Sequence, residues 1–154
     1  MNRFTVVPAS EVEARLLAPR LRECDVREIS RTSGQAPLAA LLESIQVSDT
    51  DMCWCALLEG IPVAMFGANG LTPQIGGIWL LASDDIRKHR RDFMRQCRAS
   101  LVLMHSRYRY LTNFIDADNQ VTLKWLEVLG FVPVNRFEKF GAGGTPFIQY
   151  ASEA

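Results

Sequence analysis

The chain has 154 residues, 48% of them hydrophobic and 22% charged, and its seventeen basic residues balance its seventeen acidic ones. This length and composition are typical of one globular unit, so we expect residues 1–154 to form a single domain. Because the net charge is zero, no overall field attracts nucleic acid or an anionic membrane, and we expect neither as a partner. No stretch approaches the ~20 apolar residues that span a bilayer, and MNRFTVVPAS lacks the apolar centre of a signal peptide. A cytoplasmic location is therefore expected.

The first half of the chain alternates between strand and helix patterns. A β-branched run at 4–7 predicts a strand, and two helices should follow it. The first has pieces at 11–17 and 21–29 that Pro19 separates, and the second spans 38–45. Residues 51–58 and 61–68 predict a hairpin, because the two-residue turn Glu59-Gly60 separates them. Cys53 and Cys55 lie on the first of these strands, and with so few other cysteines and histidines we expect buried thiols and no metal site.

The second half places a strong helix pattern between two apolar strands. Residues 76–83 predict a central strand, and 85–108 predict a long helix whose apolar stripe is Phe93, Cys97, Leu101 and Met104. A strand at 110–115 and a helix at 118–129 follow, and a terminal hairpin is predicted from 131–140 and 146–151.

The predicted order is β-α-α-β-β-β-α-β-α-β-β. It describes an α/β fold with a mixed sheet of six to seven strands and helices on both faces. A crossover helix makes its two flanking strands parallel neighbours, so strands 76–83 and 110–115 should lie side by side. Ligands bind at the carboxyl ends of such strands, which predicts a cleft there.

The segment NFIDADNQVTLKWLEVLGF carries an asparagine, Asn119, then an apolar helix and Leu129-Gly130-Phe131. With the strand order, this spacing resembles the GNAT superfamily of acetyl-CoA-dependent N-acetyltransferases. The same segment, together with WLLAS, HRRDF and FGAGGTPF, is similar to the small GNAT-like proteins of short-tailed bacteriophages. The resemblance spans about residues 50–150.

The resemblance implies a coenzyme A site at the end of the central strand. Family members follow that strand with a glycine-rich loop that cradles the pyrophosphate, but SDDIRKHRRDF contains no glycine. A tyrosine is common seven residues after the motif asparagine, and Leu126 stands there instead. The residues expected to bind the cofactor are Leu81, Ala82, Ser83, Arg87, Lys88, Arg90, Arg91 and Asn119.

Several of these side chains have a second interpretation that the sequence leaves open. The cations at 87–91 either hold phosphates or form a solvated helix face paired with Asp84, Asp85 and Asp92. His89 is a candidate general base or an exposed bystander. Asp84 is a second candidate base or only a helix cap.

Two functions are consistent with these features. The first is an acetyl-CoA-dependent N-acetyltransferase that takes a small-molecule acyl donor and modifies an amine, which could belong to a host protein. The alternative is a catalytically inactive GNAT-fold bacteriophage protein that acts as a protein-interaction module, either modulating a host enzyme or assisting virion assembly. The apolar terminal hairpin could also pair two copies as a homodimer.

Overall fold

The protein folds around one seven-stranded sheet. The structure, a computed structural model, describes residues 3–154; Met1 and Asn2, the start of the segment compared with a signal peptide, lie outside this range. The strands are β1 (Phe4–Pro8), β2 (Cys53–Leu58), β3 (Ile61–Gly70), β4 (Ile75–Ala82), β5 (Tyr110–Asp116), β6 (Val132–Phe140) and β7 (Thr145–Glu153). The α-helices are α1 (Glu11–Leu17), α2 (Glu23–Thr32), α3 (Pro37–Val47), α4 (Arg90–Arg107) and α5 (Gln120–Val128).

The strand order across the sheet is β1-β2-β3-β4-β5-β7-β6. All neighbours are antiparallel except β4 and β5, which are parallel because α4 carries the chain back between them. The predicted mixed sheet and its parallel pair are therefore confirmed. The predicted hairpin of β2 and β3 is also present, with positive φ at both Glu59 and Gly60 as a two-residue turn requires.

Helices cover both faces of the sheet, as the sequence predicts. On one face, Leu17 of α1 and Leu41 of α3 are fully buried against Cys55 and Met65. On the other face, Phe93 and Met104 of α4 pack with Leu126 of α5 over the central strands. This places α4 and α5 together on one side, with α1 and α3 on the other.

Two helical segments differ from the prediction. Three α-helices, not two, separate β1 from β2, because the charged stretch around residue 25 forms the independent helix α2. The long helix predicted from residue 85 begins as a 3-10 helix, Asp84–His89, and becomes α-helical only at Arg90. Ser83 caps this 3-10 turn, since its hydroxyl accepts a hydrogen bond from the backbone N–H of Asp85.

The parallel pair β4–β5 separates after three residue pairs. Pairing runs from Ile75↔Tyr110 to Gly77↔Thr112, although β4 continues to Ala82 and β5 to Asp116. The carboxyl halves of the two strands therefore diverge and leave a gap in the middle of the sheet. Within residues 3–154, no helix is both long and apolar enough to cross a membrane.

Candidate functional site

The gap exposes backbone groups of β4 that would otherwise pair with β5. The N–H of Ser83 donates to the carbonyl of Val63 on β3 at 2.8 Å, whereas the N–H of Ala82 points the other way. Backbone groups alternate along a strand, so the N–H of Leu80 faces the gap as that of Ala82 does. Across the gap, the N–H of Phe114 on β5 bonds to the side chain of Asn113 at 2.9 Å.

A cavity of about 540 Å³ occupies this gap and reaches both faces of the sheet. On one side its walls are apolar residues of α4 and α5, among them Cys97, Leu101 and Trp125. On the other side its walls are polar residues of α2, including Asp25 and Glu28. The volume lies within the range of small-molecule sites, and one polar wall opposite an apolar wall is their usual composition.

An ion pair of α2 closes one end of the gap. Arg22 and Asp25 form two hydrogen bonds of 2.9 and 3.0 Å, and both side chains are only 5% exposed. The Asp25 carboxylate also accepts the N–H of Ala82 at 3.0 Å, and the N–H of Arg22 donates to the carbonyl of Ala82 at 2.8 Å. The inward backbone groups of Ala82 are thus satisfied within the protein, and the N–H of Leu80 is the next backbone donor of β4 that faces the gap.

A second contact of α2 holds the β5 side of the gap. Asn119 is 4% exposed; its side-chain N–H donates to Glu28 at 2.9 Å, while its side-chain oxygen accepts the N–H of Thr122 at 3.3 Å. Arg31 binds Asp116 at 2.8 Å and Asp118 at 2.9 Å. Asn119 therefore caps α5 and also holds a carboxylate of the cavity.

Glu28 is the cavity carboxylate with the most perturbed proton affinity. Burial raises its pKa from the ordinary 4.5 to about 7, and the hydrogen bond from Asn119 only partly opposes this shift. A carboxylate that titrates near neutrality can accept a proton from an amine and release it again. Its place in the cavity lining and its raised pKa make Glu28 a candidate general base.

The two bases predicted from sequence do not line the cavity. His89 ends the 3-10 turn, where its ring meets Phe4 edge-on at 6.3 Å. Asp84 is 71% exposed and lies 4.0 Å from Arg87. Because Glu28 lines the cavity and these two residues do not, Glu28 replaces them as the candidate base.

The predicted cofactor residues divide into three groups. Leu81 and Asn119 line the cavity. Ala82 and Ser83 are buried just beyond it, with Ala82 tied to α2 and Ser83 to the turn that follows. The four cations at 87–91 do not line the cavity, and all of them are exposed on the surface: Arg87, Lys88, Arg90 and Arg91.

The turn at 84–89 does not form a cradle of free backbone donors. The N–H of Asp85 bonds to the Ser83 side chain, and that of Ile86 to the Ser83 carbonyl. Asp85 also pairs with Arg20. With no glycine to bring the backbone close to a ligand, phosphates at this end of α4 would be bound by side chains.

At position 126 this chain has a leucine where the family commonly has a tyrosine. Among the described residues, no other tyrosine lines the cavity to replace it. Leu126 is 6% exposed and belongs to the core. The Tyr150 hydroxyl donates to Glu127 at 3.1 Å, and that of Tyr108 binds Asp49. Both tyrosines are structural.

Sequence reasoning missed Arg22, Asp25 and Glu28. They recur every three residues, so one side of α2 carries them towards the gap. A polar stripe at helical spacing, in a helix that also buries Ile29, was the available signal.

A family model described as "Bacteriophage T7, probable scaffold protein Gp13" matches residues 52–138, which is more than half of the chain. The chain belongs to this Gp13 family. No curated protein matches its sequence.

Solved structures show that the Gp13-family chain has the fold of the GNAT acetyltransferases. A GNAT-family acetyltransferase from Bacillus anthracis superposes with a TM-score of 0.73 at 11% identity, covering 98% of this chain and 95% of that one. An aminoglycoside acetyltransferase in complex with coenzyme A gives 0.69 at 16% identity, covering 97% and 94%. The ribosomal-protein-S5-alanine acetyltransferase from Vibrio fischeri gives 0.70 at 13% identity, covering 99% and 94%. The GNAT fold predicted from sequence is confirmed.

The aminoglycoside acetyltransferase is a complex with coenzyme A, and the lining of the gap is compatible with the acyl and pantetheine part of that molecule. The cavity provides an apolar wall and the strand donor Leu80, and the Thr122 hydroxyl in its lining is buried without a hydrogen-bond partner. The glycine cradle for the pyrophosphate is absent, and exposed arginines stand in its place on α4. The residues are therefore compatible with the group, whose phosphates would have to be bound by side chains.

Proposed function

We propose that this protein is a phage-encoded N-acetyltransferase that uses acetyl-coenzyme A to modify a primary amine, which could belong to a host protein. Coenzyme A, when bound, supplies the acyl group as a thioester. The observation that carries the proposal is Glu28: a carboxylate with a pKa of about 7 lies in the cavity of the divided sheet.

Each residue of the gap has one task in this proposal. Glu28 accepts a proton from the ammonium form of the amine, whose ordinary pKa is near ~10, so that its nitrogen can react. The N–H of Leu80 donates a hydrogen bond where negative charge would develop on a carbonyl oxygen. Asn119 holds Glu28 in place, while Arg87 and Lys88 of the 3-10 turn and Arg90 and Arg91 at the start of α4 bind phosphate at the surface.

Calorimetric titration with acetyl-coenzyme A tests the binding step. We expect saturable heat that Glu28→Gln retains, because the amide keeps the size and hydrogen-bonding oxygen of the carboxylate. Acetylation of an amine panel, followed by mass spectrometry, should then be lost in Glu28→Gln and kept in Glu23→Gln, an exposed position on the same helix. Absence of heat at millimolar cofactor would disprove the proposal.

The family match supports a second, non-catalytic candidate. The Gp13 model is described as that of a probable scaffold protein, so the chain could assist virion assembly through protein contacts. The satisfied turn at 84–89 is compatible with a fold that no longer uses the usual cradle. In a phage that carries the gene, Glu28→Gln should leave particle yield unchanged under this candidate, whereas deletion of the gene should reduce it.

A further inference from the structure

We propose that Arg91, Arg95 and Arg98 form a phosphate site that recognises the 3′-phosphate of coenzyme A and selects it over 3′-dephospho-coenzyme A. The inference rests on the proposed use of coenzyme A. It adds which group of coenzyme A, the 3′-phosphate, the protein recognises. It concerns the outer face of α4, from Arg91, which is also expected to bind the cofactor, to Arg98 about two turns further along the helix.

The three arginines lie on one face of α4. Their spacing of four and then three residues places them along a single stripe of the helix. With Arg90, they border a depression between α4 and α5 of about 500 Å³. Met94 and Val128 complete its lining. The whole stripe is only ~12 Å long, since an α-helix rises ~1.5 Å per residue.

The charges of this depression are poorly compensated within the protein. Arg95 meets Asp92 at 3.5 Å, and Arg98 reaches only the carbonyl of Val128, also at 3.5 Å. Among the described residues, no ion pair or hydrogen bond is found for the side chains of Arg90 and Arg91. Like charges one turn apart repel, so a bound anion would relieve a cost that the folded chain otherwise carries.

The depression lies beside the cavity of the divided sheet. Arg98 follows Cys97, and Val128 precedes Leu129; both of these neighbours line the cavity. Neighbouring residues of the same two helices, α4 and α5, therefore line the cavity and the depression. One extended ligand could place its acyl end in the gap and its phosphate end among the arginines.

The size of the patch favours a single phosphorylated small molecule over nucleic acid. A phosphate monoester carries close to two negative charges and offers oxygens that suit the planar guanidinium fork. A nucleic-acid surface usually extends over a basic domain, whereas this chain has zero net charge. Three guanidinium groups within ~12 Å match one terminal phosphate.

The test compares the affinities of coenzyme A and 3′-dephospho-coenzyme A by calorimetry. We expect the intact protein to bind coenzyme A about 10- to 100-fold more tightly. In Arg95→Ala/Arg98→Ala the ratio should approach one, through weaker binding of coenzyme A alone. Arg109→Ala/Arg136→Ala removes the same charge from exposed positions of other elements and should keep the ratio.

Each other outcome overturns the inference in a distinguishable way. Equal affinities in the intact protein, or a ratio unchanged in Arg95→Ala/Arg98→Ala, would refute the 3′-phosphate site while leaving the proposed function standing. If neither ligand binds, the proposed function fails and the inference fails with it. If duplex DNA binds more tightly than coenzyme A and the same double variant abolishes this, the stripe is a nucleic-acid surface instead.

Discussion

The side-chain amide of Asn119 donates a hydrogen bond to the carboxylate of Glu28 at 2.9 Å, across 91 residues of sequence. This contact joins the start of α5 to the middle of α2 on opposite sides of the divided sheet. Asn119 is the residue through which the sequence resembles the GNAT superfamily, and Glu28 is the candidate base that the sequence did not reveal. In the proposed function, the motif residue would thus act by holding another side chain.

Asn119→Ala should lower the free energy of unfolding by about 1–3 kcal/mol, because it removes both the cap of α5 and a donor to Glu28. Since the Asn119 hydrogen bond lowers the Glu28 pKa, its loss should also move the pH profile of acetylation to higher pH. Urea denaturation and rate measurements across pH check the two effects. Asn135→Ala, at an exposed position of β6, is the control and should change neither.

Glu28→Gln should stabilise the protein at high pH and not at low pH. The folded-state pKa of about 7 lies above the ordinary 4.5, so the stability that Glu28 contributes is complete below about pH 4.5 and is lost as pH rises through 7. The glutamine cannot ionise and should be more stable than Glu28 by about 1–3 kcal/mol at about pH 8. Thermal unfolding at both pH values measures this.

A glutamate-to-glutamine substitution at an exposed position is the control for this pH dependence of stability. Glu23→Gln lies at the start of the same helix, in solvent, and should show no gain that grows with pH. An equal effect of Glu28→Gln at both pH values would mean that the Glu28 carboxyl titrates at its ordinary pKa.

The sequence predicted the parts of the fold that local patterns determine. The hairpin at Glu59-Gly60, the apolar stripe of α4 and the crossover from β4 to β5 follow from turn chemistry and periodicity, and all are present. The cavity wall formed by α2 could not be predicted in this way. Arg22, Asp25 and Glu28 gain their roles only from partners more than fifty residues away, at Ala82 and Asn119.

The 3-10 turn at 84–89 was missed for a related reason. The helical pattern continues through it, but Ser83 accepts the N–H groups of Asp85 and Ile86 and so tightens the first turn. The resemblance supplied the expectation of a phosphate cradle there, and the missing glycine was the correct signal that the backbone adopts another conformation.

Asp25→Ala should be among the most damaging single changes outside the apolar core. It would leave the buried guanidinium of Arg22 and the N–H of Ala82 without their acceptor, at a cost of about 3–5 kcal/mol. Because the two side chains form one unit, Arg22→Ala/Asp25→Ala should cost less than the sum of the single changes, by about 1–3 kcal/mol. A double-mutant cycle from urea denaturation gives this coupling energy.

The exposed pair Arg15–Glu11 provides the matched cycle, since it also lies within one helix turn but both side chains are about 60% exposed. Its coupling should be below about 0.5 kcal/mol, as is typical for solvated pairs. Similar coupling energies in the two cycles would show that the Arg22–Asp25 pair is solvated and does not close the gap.

Alanine substitutions at two glycines of the turn between β6 and β7 would distinguish the cost of backbone strain from the cost of close packing. Gly141 and Gly144 have similar positive φ values, 66° and 60°, so an alanine is strained at either position. A Cβ on Gly141 would lie 2.7 Å from the carbonyl oxygen of Arg31, whereas one on Gly144 would meet nothing within 4 Å. The difference between the two alanine variants therefore measures the contact of the turn with α2.

Gly144→Ala should cost about 1 kcal/mol, the ordinary penalty of the left-handed region. Gly141→Ala should cost about 2–4 kcal/mol, because the turn must also move away from α2 and weaken the 2.9 Å bonds from Ala142 to Thr32 and from Gly143 to Arg31. Arg31 binds Asp116 at the edge of the gap, so only Gly141→Ala should also weaken acetyl-coenzyme A binding. Equal losses of stability in the two variants would show that the turn does not brace α2.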